Sequence, residues 1–167
     1  TYNRADALDR CLAAYQKQSL PQKLWEMIVV DDGSNYDVRG LVQKYAPKLP
    51  LQLEINKVNA GPAKVRNRGT EIGTGDMILF TGDDIIPESD FLSEHLHAHT
   101  DHPEDTVGVL GSTYWHPDIQ VTPLMHDMTG EGGQQFCYDI LTPNHYIPFS
   151  CFYTSNVSVK RSLLVSQ

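Results

Sequence analysis

Apolar positions along this chain fall into two alternating rhythms. Leu8, Cys11, Leu12 and Tyr15 recur at i, i+3, i+4 and i+7, which predicts an amphipathic helix over residues 5–18. Asn3 stands where an N-cap would, Asp6 suits the helix dipole in the first turn, and Ser19-Leu20-Pro21 ends the segment. Trp25-Glu26-Met27-Ile28-Val29-Val30 is then a nearly continuous apolar run that stops at Asp31-Asp32-Gly33-Ser34. A strand apolar on both faces belongs in the middle of a parallel sheet with helices over it. Residues 38–45 predict a second helix, closed by Ala46-Pro47, and Leu51-Gln52-Leu53-Glu54-Ile55 alternates at period two as a strand does. Residues 62–72 predict a third helix with Pro62 in its first turn, followed by Gly73-Thr74-Gly75. Met77-Ile78-Leu79-Phe80 predicts a third strand, which delivers Thr81-Gly82-Asp83-Asp84 and stops at Pro87.

This order of alternating helices and strands with short connections is the doubly wound α/β pattern, right-handed at each crossover. Ligands of such sheets bind outside the carboxyl ends of the strands. Both acidic pairs, Asp31-Asp32 and Asp83-Asp84, fall at predicted carboxyl ends, whereas acidic turns of no function would fall at either edge. Downstream, residues 88–100 predict a helix and Val107-Gly108-Val109-Leu110 a strand. Residues 115–148 lose any sustained period and predict a long loop or short helices bordering a cleft. Residues 150–160 read as extended, and Arg161 starts a final helix.

At 167 residues the chain is expected to form one domain with a real core. The formal net charge of -8 excludes a general nucleic-acid binder, which needs a basic face. An anionic ligand stays open, because a metal or a helix N-terminus supplies positive charge locally. Cys11, Cys137 and Cys151 are odd in number and widely spaced, which reads as reduced thiols in the cytoplasm. No apolar run approaches a membrane span. The chain starts without Met and stops inside an apolar segment, so a fragment of a longer protein is expected.

Two neighbouring aspartates at a strand end suit a hard divalent cation that shares its ligands with phosphates; the alternative is a solvated turn. Asp31-Asp32-Gly33 could bind a nucleobase or ribose, or could be a capped turn. In Asn59-Ala60-Gly61-Pro62-Ala63-Lys64-Val65-Arg66-Asn67-Arg68-Gly69, Lys64 and Arg68 share a helix face while Arg66 points elsewhere, so one cation could reach a phosphate or base. The glycines match neither a phosphate-binding loop nor a dinucleotide fingerprint. His95, His99 and His102 on one helix face invite zinc, but Leu92 and Leu96 among them point to a core-facing surface. No serine or cysteine nucleophile motif is present. Asp127, Glu131 and Asp139 are spare carboxylates with no spacing argument for a role as base.

Five stretches in order carry a resemblance: Thr1-Tyr2-Asn3-Arg4, Val29 through Ser34, Asn59 through Gly69, Phe80 through Pro87, and Thr154 through Arg161 with its Asn-x-Ser. Together they resemble the family 2 glycosyltransferases of GT-A fold. The resemblance implies a Rossmann-like three-layer α/β sandwich with a mostly parallel central sheet. It implies inverting transfer of a sugar from a nucleotide sugar, UDP being the expected nucleotide, with Mg²⁺ or Mn²⁺ as cofactor. Thr1 and Tyr2 would border the nucleotide, with Arg4 close by. Asp32 would contact the base with Asp31 supporting it, and Asn59 and Gly61 would belong to the same nucleotide site. Arg66 would approach base or phosphates. Asp84 would be the metal ligand bridging to the diphosphate, with Asp83 beside it and nearer the ribose. Gly82 departs from the family, which often has an Asp there. The catalytic base is expected beyond Gln167 and the first strand before Thr1, so little transfer by these residues alone is expected. The acceptor would be a carbohydrate or lipid-linked molecule, and the setting the cytoplasm, at the membrane surface if the longer protein brings it there. The rival readings are a non-catalytic nucleotide- or carbohydrate-binding module of the same fold and a nucleotidyltransferase.

Overall fold

The structure, a computed structural model, describes residues 1–129, 138, 141–142 and 144–165. The expected stripe drives the first helix, α1 (Ala5–Tyr15), into the core. Leu8, Cys11, Leu12 and Tyr15 are all buried, and they pack with Val29, Val38, Val42, Tyr45 and Leu49. Its cap differs from expectation. Arg4 holds the N-cap position without a capping side chain, and Asn3 turns to φ +54°. Asn3 instead donates its N–H to Ser34 Oγ at 2.8 Å and accepts from Asn35 N at 2.9 Å, which ties the start of the chain to the loop after the first strand. The helix also ends before Gln18, whose side chain is used elsewhere: Nε2 donates to the Glu88 carbonyl and Oε1 accepts from Leu92 N.

Strands β1 (Met27–Asp31) and β2 (Leu51–Ile55) pair in parallel, Met27 opposite Leu51 through Asp31 opposite Ile55. Helix α2 (Val38–Gln43) connects them, started by Asp37, whose side chain accepts from Gly40 N. On the other edge of β1 the Thr1 nitrogen donates to Val30 O at 2.8 Å, and Asp32 N donates to Thr1 O at 2.9 Å. That is the parallel ladder pattern, with Thr1 opposite Asp31. Helix α3 (Pro62–Ile72) returns the chain to β3 (Met77–Thr81).

The parallel order does not continue through β3. Strand β5 (Asn156–Lys160) inserts between β3 and β4 (Gly108–Leu110) and is antiparallel to both, so β3 and β4 run the same way but never touch. Val157, Ser158 and Val159 are fully buried because β5 has a neighbour on each side. The extended segment expected over 150–160 is shorter, since residues 149–151 form a 3₁₀ turn. Helix α4 (Phe91–Asp101) starts three residues later than its periodicity suggested, and the described part of the irregular stretch contains a short helix, α5 (Pro123–Thr129). Helix α6 (Arg161–Val165) follows β5 directly. No helix among the described residues is long and apolar enough to cross a membrane.

Candidate functional site

The carboxyl ends of β1 and β3 each present an acidic pair, as expected, but the four carboxylates are held differently. Asp31 is 1% exposed and closes its own turn, accepting from the N–H and hydroxyl of Ser34. Gly33 within that turn has φ +81°, and a Cβ there would lie 3.2 Å from Asn59 N, so the loop of residues 56–61 rests on glycine backbone. Asp32 is buried and fixes that loop. Its Oδ1 accepts from Asn56 Nδ2 at 2.8 Å and Ala60 N at 2.9 Å, and its Oδ2 from Gly61 N at 2.9 Å. Burial works against the charge of Asp32, yet these bonds outweigh it and hold the carboxyl below the usual range. A carboxylate offers about four lone-pair sites, so Oδ2 keeps room for one more donor. Gly61 (φ +87°) has open space where a side chain would stand.

At the end of β3 the acidic pair is bridged by a cation from the other end of the chain. Arg4 Nη1 lies 3.1 Å from Asp83 Oδ1 and 2.7 Å from Asp84 Oδ2. The hydrogen bond to Asp83, then that to Asp84, pushes the guanidinium above its ordinary range. Asp84 is half exposed, while Asp83 Oδ2 is buried without a partner. Thr1 Oγ1 and Tyr36 Oη are likewise buried. Burial pushes the Tyr36 phenol up; hydrogen bonding with Thr1 and Ser34 works the other way, and the charges of Asp31 and Asp83 add to the rise. Tyr36 was missed in the sequence because it sits in a polar turn; its one signal was an aromatic residue among turn formers.

Two adjacent carboxylates, one with an unpartnered buried oxygen and one open to solvent, are a hard-oxygen donor set that fits Mg²⁺ or Mn²⁺ if phosphates and water complete the shell. The protein alone builds no closed cage: no group of three or more His, Cys, Asp or Glu is gathered among the described residues. Beneath the pair, Cys11 Sγ lies 3.9 Å from Gly82 O, and burial, reinforced by the charges of Asp83 and Asp84, pushes its thiol up to about 12.

The remaining candidates separate. Arg68 is committed to Glu54 and Glu71, whereas Arg66 is half-buried with no ion pair among the described residues. Tyr2 is largely exposed, and Asn59 contributes backbone to the loop that Asp32 holds. The histidine face is structural. His95 and His99 are buried against Ser158 and Asn156, held below the usual range by burial, while His102 is exposed with its ring against Tyr146. Asp127 is exposed on α5, and Glu131, Asp139 and Cys137 lie outside the described residues.

Comparison with known proteins bears on this geometry. The sequence model described as glycosyl transferase family 2 matches residues 1–158. Validoxylamine A glucosyltransferase of Streptomyces hygroscopicus subsp. jinggangensis is 25% identical over 180 residues, covering 95% of this chain and 42% of that protein. The crystal structure of S. aureus TarS 1-349 superposes over 99% of this chain and 46% of its own, with a TM-score of 0.75 at 23% identity. TarS 1-349 in complex with UDP-GlcNAc covers 78% of this chain and 36% of its own, with a TM-score of 0.65 at 27% identity. The mannosyltransferase PcManGT from Pyrobaculum calidifontis, in complex with GDP-Man and Mn²⁺, covers 68% of this chain and 33% of its own, with a TM-score of 0.61 at 26% identity. The chain thus spans less than half the length of these proteins.

Proposed function

The chain belongs to glycosyl transferase family 2, and from that premise we propose that it binds the donor of an inverting, metal-dependent glycosyltransferase that uses a UDP-sugar. The observation that carries the reading is the strand-end face itself. Asp32 Oδ2 accepts a single hydrogen bond there, while Asp83 and Asp84 stand as an incompletely satisfied pair beside Arg4. Support for UDP comes from TarS, solved with UDP-GlcNAc, and support for a metal from PcManGT, solved with Mn²⁺.

In this reading Asp32 Oδ2 accepts from the ring N–H of the base, and Asp31 keeps the turn in place. Thr1 and Tyr2 border the nucleotide, Asn59 and Gly61 let the base approach backbone, and Arg66 supplies charge toward base or phosphates. Asp84, with Asp83, would hold Mg²⁺ or Mn²⁺, which when bound offsets charge developing on the departing diphosphate. Arg4, now paired with both carboxylates, would be freed by such an ion to face phosphate. Transfer itself needs a base to take the proton from the acceptor hydroxyl as its oxygen attacks the anomeric carbon; no described carboxylate is assigned that task. A carbohydrate or lipid-linked acceptor and a cytoplasmic setting belong to the same proposal.

Calorimetric titration with UDP, with and without Mn²⁺, tests it. Binding is expected only with the metal, and Asp84→Asn should abolish the metal dependence. Equal UDP affinity in Mn²⁺ and in chelator would sink the assignment.

A further inference from the structure

A buried polar chain behind β5 is used by none of these roles, and its proton directions can be worked out. Ser112 O can only accept, so the Asn156 group 3.1 Å from it is the NH₂, and Asn156 Oδ1 faces His95. That oxygen also only accepts, so His95 Nε2, 2.9 Å away, carries a proton. A neutral ring then has a bare Nδ1, to which the Ser158 hydroxyl donates at 2.8 Å. Having donated, Ser158 Oγ accepts from His99 Nε2 at 2.9 Å. The chain ends at His99 Nδ1, buried without a partner, where a bare lone pair is due. Donation runs one way, from His99 through Ser158, His95 and Asn156 to Ser112.

Asn156 also sits between two loops at the sheet edge. It lies opposite Thr81 of β3, Gly82 N donates to Ser155 O, and Gly111 N donates to Asn156 O at 3.0 Å. The segments 82–84 and 111–113 therefore flank one residue, two strand spacings or about 10 Å apart. A Cβ at Gly111 would fall 2.4 Å from Asn156 Nδ2, so glycine is what lets that amide reach Ser112. Thr1 and Arg4 link the Asp32 loop to the acidic pair from the opposite side. Across the face the order is Asp32 loop, acidic pair, then residues 111–113.

We propose that the His99–Ser158–His95–Asn156 chain positions residues 111–113 as the wall against which the sugar of the donor rests, with Asn156 as the positioning residue. The proposal rests on the donor reading above: with the base at Asp32 and the diphosphate at Asp84, the sugar continues toward that segment.

The test compares UDP with UDP-glucose and UDP-GlcNAc by calorimetry in Mn²⁺. Asn156→Asp keeps an acceptor for His95 but cannot donate to Ser112, and Gly111→Ala displaces the same amide sterically; thermal melting confirms that each is folded. UDP affinity should stay within about twofold, while the gain of the better UDP-sugar over UDP falls at least about fivefold, which is about 1 kcal/mol. Equal weakening of UDP and UDP-sugar, or no change in either, overturns the positioning role alone. Failure of the unaltered chain to bind UDP overturns the donor reading and this proposal with it. Independently of ligand, nitrogen-15 spectra should show both His95 and His99 as Nε2–H tautomers; an Nδ1–H tautomer at His95 refutes the chain.

Discussion

Replacing Asp32 by Asn alters one oxygen and should be far from neutral. Asp32 accepts three hydrogen bonds at 2.8–2.9 Å, two on Oδ1 and one on Oδ2. In Asp32→Asn the amide NH₂ must face either the Gly61 N–H or the donors of Asn56 and Ala60. At least one bond to a charged acceptor is lost, worth about 1.5–3 kcal/mol, and a buried donor meets a donor, which adds a further ~1 kcal/mol. We expect about 2–4 kcal/mol of destabilisation at pH 7, read from urea unfolding by circular dichroism with the slope unchanged. The pH dependence follows from the sign of the shift. The folded carboxyl titrates below its unfolded value of about 3.9, so its contribution is complete above that pH and fades as pH falls through the lower folded value. The gap between parent and variant should therefore be flat from pH 7 to 5 and shrink below about 4. A cost under about 0.5 kcal/mol at pH 7, or a gap constant down to pH 3.5, would refute the view that the ionised Asp32 holds the 56–61 loop.

Leu12, 1% exposed at the centre of the core, should cost about 2–5 kcal/mol as Leu12→Ala, a range set by how far the cavity collapses; a loss under 1 kcal/mol by the same unfolding assay would mean that α1 packs elsewhere. His95 and His99 are held neutral by burial, so their contribution is complete above the unfolded value near 6.5 and falls below it, by up to about 1.4 kcal/mol per pH unit for each ring. Stability flat between pH 7.5 and 5 would contradict this. Arg4→Gln removes the cation that competes for Asp83 and Asp84. Mn²⁺ without nucleotide should then bind roughly threefold tighter, in keeping with ~1 kcal/mol or less for an exposed ion pair, and weaker Mn²⁺ binding in a calorimeter would count against the competition.

The elements readable from sequence were those whose cause is local. The i, i+3, i+4 stripe of α1, the period-two alternation of β2 and Pro62 at the start of α3 each act within one segment, and the structure has them within a few residues. What lay beyond reach was partner choice. Nothing in Asn156–Lys160 says that this strand enters between β3 and β4 and reverses the sheet, since apolar Val157 and Val159 would serve any central strand. The same limit hid the meaning of His95 and His99: helical spacing put them on one face, but only Ser158 and Asn156, sixty residues away, make that face polar and buried. In the candidate site, adjacency along the chain showed both acidic pairs, while Tyr36 and the Arg4 bridge depend on contacts from distant segments.

Gly82 and Arg4 belong to one arrangement. A Cβ at position 82 would come within 2.4 Å of Asp84 Oδ1, so any side chain there has to push the Asp84 carboxylate off its present position. That position is the one from which Asp84 Oδ2 meets Arg4 Nη1 at 2.7 Å. A third carboxylate at 82 would thus add negative charge to the cluster and at the same time loosen the cation that balances it. With glycine, the pair carries two negative charges against one guanidinium, and Arg4 can neutralise much of it before any ligand arrives. Arg4 is the N-cap of α1, fixed in place by Thr1 on β1 and Asn3 on the 34–35 loop. The guanidinium therefore reaches the acidic pair from the same turn of chain that borders Asp31 and Asp32. In the proposed donor site a metal and a diphosphate at Asp84 would release Arg4 beside the phosphates, so the residue that now balances Asp83 and Asp84 would be placed to balance that ligand.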